Sequence, residues 1–168
     1  MSSAVELSPV VPLGRAHVVG DFDSGDPDID AFLRDRAATE QAMGFSQIYV
    51  TSDPAGSVAG YFTVSPVTVR VEPALLRTIG VGAAPYPLIG GFLLGRLGVA
   101  RRLHGRGIGA ALVMRAAQIT KREAALVGGS FLAVDPKTEE LVAWYARLDF
   151  VRLGEKTRRM VLPLRAVP

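Results

Sequence analysis

LGRLGVARRLHGRGIGAALV (residues 94–113) is the stretch from which the rest of the chain is read. An apolar run, with side chains suited to both faces of a sheet, leads into a turn with Gly105, Gly107 and Gly109 at alternate positions. Residues of high helix propensity follow without a break, through ALVMRAAQITKREA. Strand, glycine turn and helix in direct succession form an anion site: glycines let the backbone approach a ligand at angles other residues resist. The first helical N–H groups lack internal partners and carry the positive end of the helix dipole. Arg101, Arg102 and Arg106 add charge of the right sign. Phosphate binding follows from this chemistry, although a glycine turn that merely eases packing of helix against strand shows the same pattern.

Two familiar phosphate loops fit poorly. The Walker A string GxxxxGK[ST] is absent. The dinucleotide pattern GxGxx[GA] is matched by Gly105, Gly107 and Ala110, but it requires an acid about 20 residues on, at the end of the next strand. The nearest candidate, Glu123, falls at the end of the helix, and too little chain remains for a second mononucleotide-binding half.

Composition narrows the chemistry. The 168 residues suit one domain, 1–168, with 49% apolar and 21% charged residues, ordinary values for a soluble globular chain. With no cysteine, disulfides, thiolate metal sites and cysteine nucleophiles are excluded, and His17 and His104 lack metal-ligand spacing, so no metal site is expected. The opening MSSAVELSPVVPLGR has no basic start followed by an apolar stretch, and PYPLIGGFLLG (residues 85–95) is too short to span a bilayer. No membrane association and a cytoplasmic location are the expectation. Residues 1–60 carry nine acids against three arginines, net −6, whereas the remainder carries sixteen basic residues against seven acids, net +9. Thirteen of those sixteen are arginine, whose planar fork suits phosphate. A polyanionic ligand near the C-terminal two thirds and a solvated arginine-rich surface both fit.

Periodicity supplies the surrounding elements. FDSGDPDID (residues 22–30) reads as a turn into a helix capped by Asp26 or Asp28, with Pro27 in the first turn. Ile29, Phe32, Leu33, Ala37 and Met43 continue at helical spacing as far as Gly44. QIYVTSD and VAGYFTVSPVTVRV are strands joined by DPAGS (residues 53–57), with Pro66 expected to interrupt the second. EPALLRTIG suggests a short helix, residues 81–90 a loop, and residues 91–100 a central strand. GGSFLAVDP is a buried strand, KTEELVAWYARLDF an amphipathic helix, and VRLGEKTRRMVLPL a closing hairpin. The order predicts a mixed α/β (α+β) domain around one sheet.

The glycine segment resembles the acetyl-CoA-binding motif of GNAT acetyltransferases, [QR]xxGx[GA], aligned as His104, Gly107 and Gly109 with histidine in place of Gln or Arg. The family's later Nxx[AS]xxxYxxxGF is similar to the stretch from Thr138 to Tyr145 and Phe150, with Asp149 where glycine is usual; aspartate tolerates left-handed backbone angles better than most residues. FDSGDPDIDAFLRDRAATEQAMGFSQIYV resembles the FDCGxPxLDxFLxxxAxxxQxxGxSxxxV opening of the family's TacT-like toxin branch, with Ser24 replacing the cysteine. AGYFTVSP and RMVLPL match that branch too, so the resemblance covers nearly the whole chain.

The resemblance implies a GNAT fold, a central twisted mixed sheet flanked by helices, and transfer of acetyl from acetyl-CoA to an amine. It implies that Leu97, Gly98 and Val99 run beside the pantetheine, with Gly98 leaving room near the thioester and the Val99 N–H facing its oxygen. His104, Gly105, Arg106, Gly107, Gly109 and Ala110 would hold the pyrophosphate, Thr138 would add a cofactor contact, and Tyr145 would protonate the departing thiolate. By spacing alone, Tyr145 also fits a packing role beside Leu141, Trp144 and Leu148. No general base is visible. A lysine amine near pKa 10.4 benefits from a base, whereas an α-amine near 8, lowered further by esterification of its carboxyl, needs none. Toxin-branch chemistry is acetylation of that amine on aminoacyl-tRNA, with Arg36, Arg96, Arg158 and Arg159 as candidate phosphate contacts. The branch also implies a homodimer and a ribbon–helix–helix antitoxin, through which a repressor complex reaches DNA. A small-molecule amine or protein N-terminus as acceptor, and a non-catalytic binding module, remain alternatives.

Overall fold

The computed structural model describes residues 4–168, so the first three residues of the expected 1–168 domain and of its opening segment lie outside the described residues. Seven strands form one mixed sheet in the order β1-β2-β3-β4-β5-β7-β6, with β4 in the middle. They are β1 (Val11–Pro12), β2 (Gln47–Ser52), β3 (Val58–Arg70), β4 (Leu88–Val99), β5 (Phe131–Val134), β6 (Val151–Arg152) and β7 (Met160–Pro163). The helices are α1 (Pro27–Asp35), α2 (Ala37–Ala42), α3 (Pro73–Ile79), α4 (Ile108–Val127) and α5 (Glu139–Ala146). The mixed α/β class expected from the order of elements is the class observed.

The chain divides into two compact units. The first comprises residues up to Val64 together with Arg96–Arg115. Its core joins Phe22, Phe32, Leu33, Ile48, Val50 and Tyr61 to Ala100 and Leu103, the residues that enter the glycine turn. Asp26 is the N-cap of α1, accepting from the N–H groups of Asp28 and Ile29, as a β-region aspartate before a first-turn proline should. The single helix expected over residues 29–43 is two helices. Arg36 leaves helical geometry (φ −127°, ψ −28°) between α1 and α2 while Phe32, Leu33 and Ala37 stay buried. The apolar spacing thus survives a break in the backbone. Met43, expected on the buried face, is 61% exposed, and Gly44 ends the segment with a left-handed φ of 76°.

The β2–β3 hairpin is antiparallel from Gln47↔Val64 to Ser52↔Val58, with a bulge at Thr51/Ser52. Asp53 shapes its turn by accepting from the backbone N–H groups of Ala55 and Ser57. Contrary to expectation, β3 runs through Pro66 unbroken. Its pairing with β2 ends at Val64, so a missing proline N–H two residues later removes no bond on that side.

The second unit comprises Ser65–Gly95 and Ala116–Pro168. Phe131, Ala133 and Val161 form its centre with Val69, Leu75 and Ile79. β4 pairs parallel with β5 (Phe92↔Leu132), and β5 pairs antiparallel with β7. β4 begins at Leu88, so the loop expected over residues 81–90 is shorter than its glycine and proline content suggests. Gly91 permits close strand packing there: a Cβ would lie 2.4 Å from the buried Phe131 ring. Among the described residues, no helix is long and apolar enough to cross a membrane.

Candidate active site

β4 ends at Val99 and passes through a single 3-10 turn (Arg101–Leu103) into the glycine segment. Gly105 and Gly107 both have φ +77°, the left-handed region, and they flank Arg106. Alternating backbone of this kind turns successive N–H groups toward one concavity, a nest for an anion. The first bond of α4 runs from the Ala111 N–H to the Gly107 carbonyl, so the N–H groups of Ile108, Gly109 and Ala110 precede the helix's own bonding. α4 is twenty residues long, enough for its dipole to favour negative charge at this end.

The arginines around the turn differ in their engagements. Arg101 pairs with Asp23 at 2.9 Å, and its N–H donates to the Asp23 carbonyl. That guanidinium holds the Asp23 carboxyl below the usual carboxylate range, aided by the Gly25 N–H. Arg102 approaches Asp53 at 3.4 Å. Arg106 has no acidic partner among the described residues. His104 places Nε2 2.8 Å from the Val99 carbonyl, so this ring turns back onto the end of β4.

The opening motif is explained by packing. The buried Asp30 carboxylate accepts from the Ser24 N–H (2.9 Å) and hydroxyl (2.6 Å), closing the loop that places Asp23 beside Arg101. Gln41 clasps three segments: its amide donates to the Leu13 carbonyl and its oxygen accepts from Gln47 Nε2 and the Ile48 N–H. Sequence reading gave neither Asp30 nor Gln41 a role, although both stand in the quoted motif. Gly98 requires a correction. A Cβ there would come within 2.6 Å of Ile29 Cγ2 and 3.2 Å of the Phe22 and Tyr61 rings, so the space it leaves is filled by the core. Burial pushes the Tyr61 hydroxyl above its ordinary range, and that hydroxyl donates to the Ile29 carbonyl at 2.7 Å.

Arg36 and Arg96 meet on one ring: their Cζ atoms lie 5.4 and 3.9 Å from the Phe32 centroid. Arg36 also pairs with Glu40, and the Arg96 N–H donates to Thr63 Oγ1.

In the second unit, Tyr145 is 8% exposed, with edge-on contacts to Trp144 at 4.9 Å and Phe150 at 5.3 Å. Burial pushes its hydroxyl up to about 12, so the group is protonated at neutral pH. Asp149 closes α5 with φ 70°, the left-handed angle expected of it, and thereby brings Phe150 against Tyr145. Thr138 is the N-cap of α5, its hydroxyl accepting from the Leu141 N–H at 3.2 Å. Arg159 grips Asp135 through two nitrogens at 2.7 and 2.6 Å, and Arg158 bonds to Glu139 and the Lys137 carbonyl. Both arginines expected to meet phosphate here have protein partners. An open cleft of about 590 Å³ in the second unit is lined by Pro66, Ile89, Phe92, Gly129 and Ser130. No group of side chains among the described residues could hold a metal ion.

A curated relative from Mycobacterium tuberculosis (strain ATCC 25618 / H37Rv), a tRNA-acetylating toxin, is 33% identical over 138 residues, which cover 82% of this chain and 81% of the relative. The chain belongs to the family of tRNA-acetylating toxins. Solved structures of the toxin AtaT share the GNAT fold. AtaT complexed with acetyl-methionyl-tRNAfMet superposes with a TM-score of 0.84 at 22% identity, covering 96% of this chain and 97% of that one. A tyrosine-to-phenylalanine variant of AtaT, bound to the C-terminus of the antitoxin AtaR and acetyl-CoA, gives 0.79 at 23% identity over 96% and 95% of the two chains. The chain matches no protein-family model.

Proposed function

We propose that this member of the tRNA-acetylating toxin family transfers the acetyl group of acetyl-CoA to the α-amine of aminoacyl-tRNA, blocking translation. The observation that carries the proposal is the pair of left-handed glycines before α4, with the unbonded N–H groups of residues 108–110 behind them. The diphosphate of coenzyme A is the anion this nest takes, with Arg106 as its countercharge. Backbone of Leu97, Gly98 and Val99 runs beside the pantetheine amides as an added strand would. An N–H of this strand, that of Val99, supports negative charge developing on the thioester oxygen.

The amine attacks the thioester carbon directly. The C–S bond breaks, and the proton lost by the amine arrives on sulfur. Tyr145 is the group that hands it over. At a pKa of about 12 the tyrosine starts and ends protonated, donating to the thiolate as it regains a proton from the new amide nitrogen. Esterification lowers the α-amine below its ordinary pKa near 8, so a useful neutral fraction exists at neutral pH without a general base, which suits a site whose buried carboxylate, Asp30, is committed to Ser24.

Arg96, over the Phe32 ring and without an acidic partner among the described residues, is the first candidate for tRNA phosphate, ahead of Arg36, which Glu40 engages. Arg159, bound bidentately to Asp135, and Arg158, engaged by Glu139, serve the fold first. The chain acts as a cytoplasmic homodimer and is neutralised by a ribbon–helix–helix antitoxin, whose complex with the toxin represses transcription through DNA contacts. Support for the antitoxin comes from AtaT, solved with the C-terminus of AtaR. Radiolabelled acetyl-CoA offered with charged tRNA, peptides and polyamines tests the acceptor. Label on the aminoacyl ester bears the proposal out; label only on peptides or polyamines overturns it.

A further inference from the structure

We infer that His104 is a positioning residue for the diphosphate of acetyl-CoA: it braces the glycine nest through a hydrogen bond to the end of β4 and does not itself touch the ligand. The inference rests on the reading of the nest as the diphosphate site.

Gly105 and Gly107 hold left-handed angles, yet a Cβ built on either meets no atom within 4 Å. Nothing therefore packs against this backbone on the side where a Cβ would stand. Its orientation is set by what precedes Gly105 and by the helix that follows Gly107. On the preceding side, Leu103 is buried and its N–H donates to the Ala100 carbonyl at 2.8 Å; the His104 N–H donates to the Arg101 carbonyl at 3.1 Å. These bonds close the 3-10 turn upon itself. The remaining tie from residue 104 to the strand is made by its side chain, where Nε2 lies 2.8 Å from the Val99 carbonyl.

A carbonyl oxygen only accepts, so Nε2 carries the proton in this bond. The bond spans from the last residue of β4 to the residue immediately before the nest. It fixes the nest relative to the strand that carries the thioester. An exposed hydrogen bond of this kind changes affinity modestly, because water replaces part of what is lost. Its effect falls on the ligand's grip and leaves the chemical step alone.

Side-chain geometry supplies the test. Glutamine Nε2 sits the same number of bonds from Cα as histidine Nε2 and also donates; asparagine ends one bond short. His104→Asn is expected to raise the KM and calorimetric Kd for acetyl-CoA about fivefold, equivalent to about 1 kcal/mol, with kcat and Tm near wild type. His104→Gln is expected to restore both constants to within about twofold. With S-acetylpantetheine, which lacks the diphosphate, kcat/KM should be the same for wild type and both variants. The inference is overturned if Asn matches wild type, if Gln is as impaired as Asn, or if the S-acetylpantetheine reaction falls in parallel with the acetyl-CoA reaction. Wild-type protein that fails to bind acetyl-CoA at all overturns the diphosphate reading itself, and this inference with it.

Discussion

Replacing Tyr145 by phenylalanine separates a packing tyrosine from a reacting one. The ring's contacts with Trp144 at 4.9 Å and Phe150 at 5.3 Å involve no oxygen, and no protein group among the described residues bonds the hydroxyl. Folding stability should change by less than about 0.5 kcal/mol. Chemistry should change far more. A hydroxyl at about 12 stands some 3.5 units above an ordinary thiol near 8.5, so complete transfer to a thiolate, uncoupled from the amine, would cost about 5 kcal/mol. In the proposed mechanism the tyrosine would therefore donate as the amine proton replaces its own. If it only donates a hydrogen bond to the charged sulfur, its loss costs about 1.5–3 kcal/mol, a factor of roughly 10 to 150. If it completes the relay, the factor is about 10² to 10⁴. Single-turnover acetylation of aminoacyl-tRNA at saturating acetyl-CoA, with thermal unfolding alongside, measures both quantities. A Tyr145→Phe rate within about threefold of wild type at unchanged Tm would refute the reasoning.

Other perturbations follow from the same geometry. Gly107→Ala meets no steric obstacle, so its cost is the left-handed angle, roughly 1–2 kcal/mol; acetyl-CoA affinity measured by calorimetry should drop about tenfold. Gly98→Ala drives a Cβ to 2.6 Å from Ile29 Cγ2, and should lower stability by about 1–3 kcal/mol in denaturant titrations, not merely raise KM. The raised Tyr145 pKa stabilises the fold fully below about pH 10, and that contribution is lost as pH rises toward about 12. It amounts to about 3 kcal/mol, visible as a pH-dependent urea midpoint whose slope diminishes in Tyr145→Phe. Arg96→Gln should raise KM for tRNA and flatten its salt dependence by about 0.7 in log–log slope, whereas Arg159→Gln should cost Tm through Asp135 and leave that slope unchanged.

Features fixed by neighbours in sequence were legible in the sequence itself. The glycine turn and α4, the Asp26 cap, the Asp53 turn and the left-handed Asp149 each depend on residues within a few positions. What depends on distant chain was not. The break at Arg36 keeps the apolar spacing of a continuous helix and leaves no trace in periodicity. Passage of β3 through Pro66 depends on where β2 stops pairing, a property of register. The core's claim on Gly98 comes from Ile29, Phe22 and Tyr61, far away in sequence. Arg159 read as a phosphate contact because its residue type suits phosphate, and only the fold brings Asp135 to it. At the candidate site, residue types and spacing foretold a glycine turn leading into α4, whereas side-chain engagements, His104 on Val99 above all, depend on the fold.

Backbone amide shifts recorded by NMR during titration report directly on what the start of α4 holds. Acetyl-CoA should displace the resonances of Gly105, Gly107, Ile108, Gly109 and Ala110 together, and S-acetylpantetheine, lacking the diphosphate, should leave them in place. Saturating acetyl-CoA that moves amides elsewhere while these stay unshifted would contradict the account.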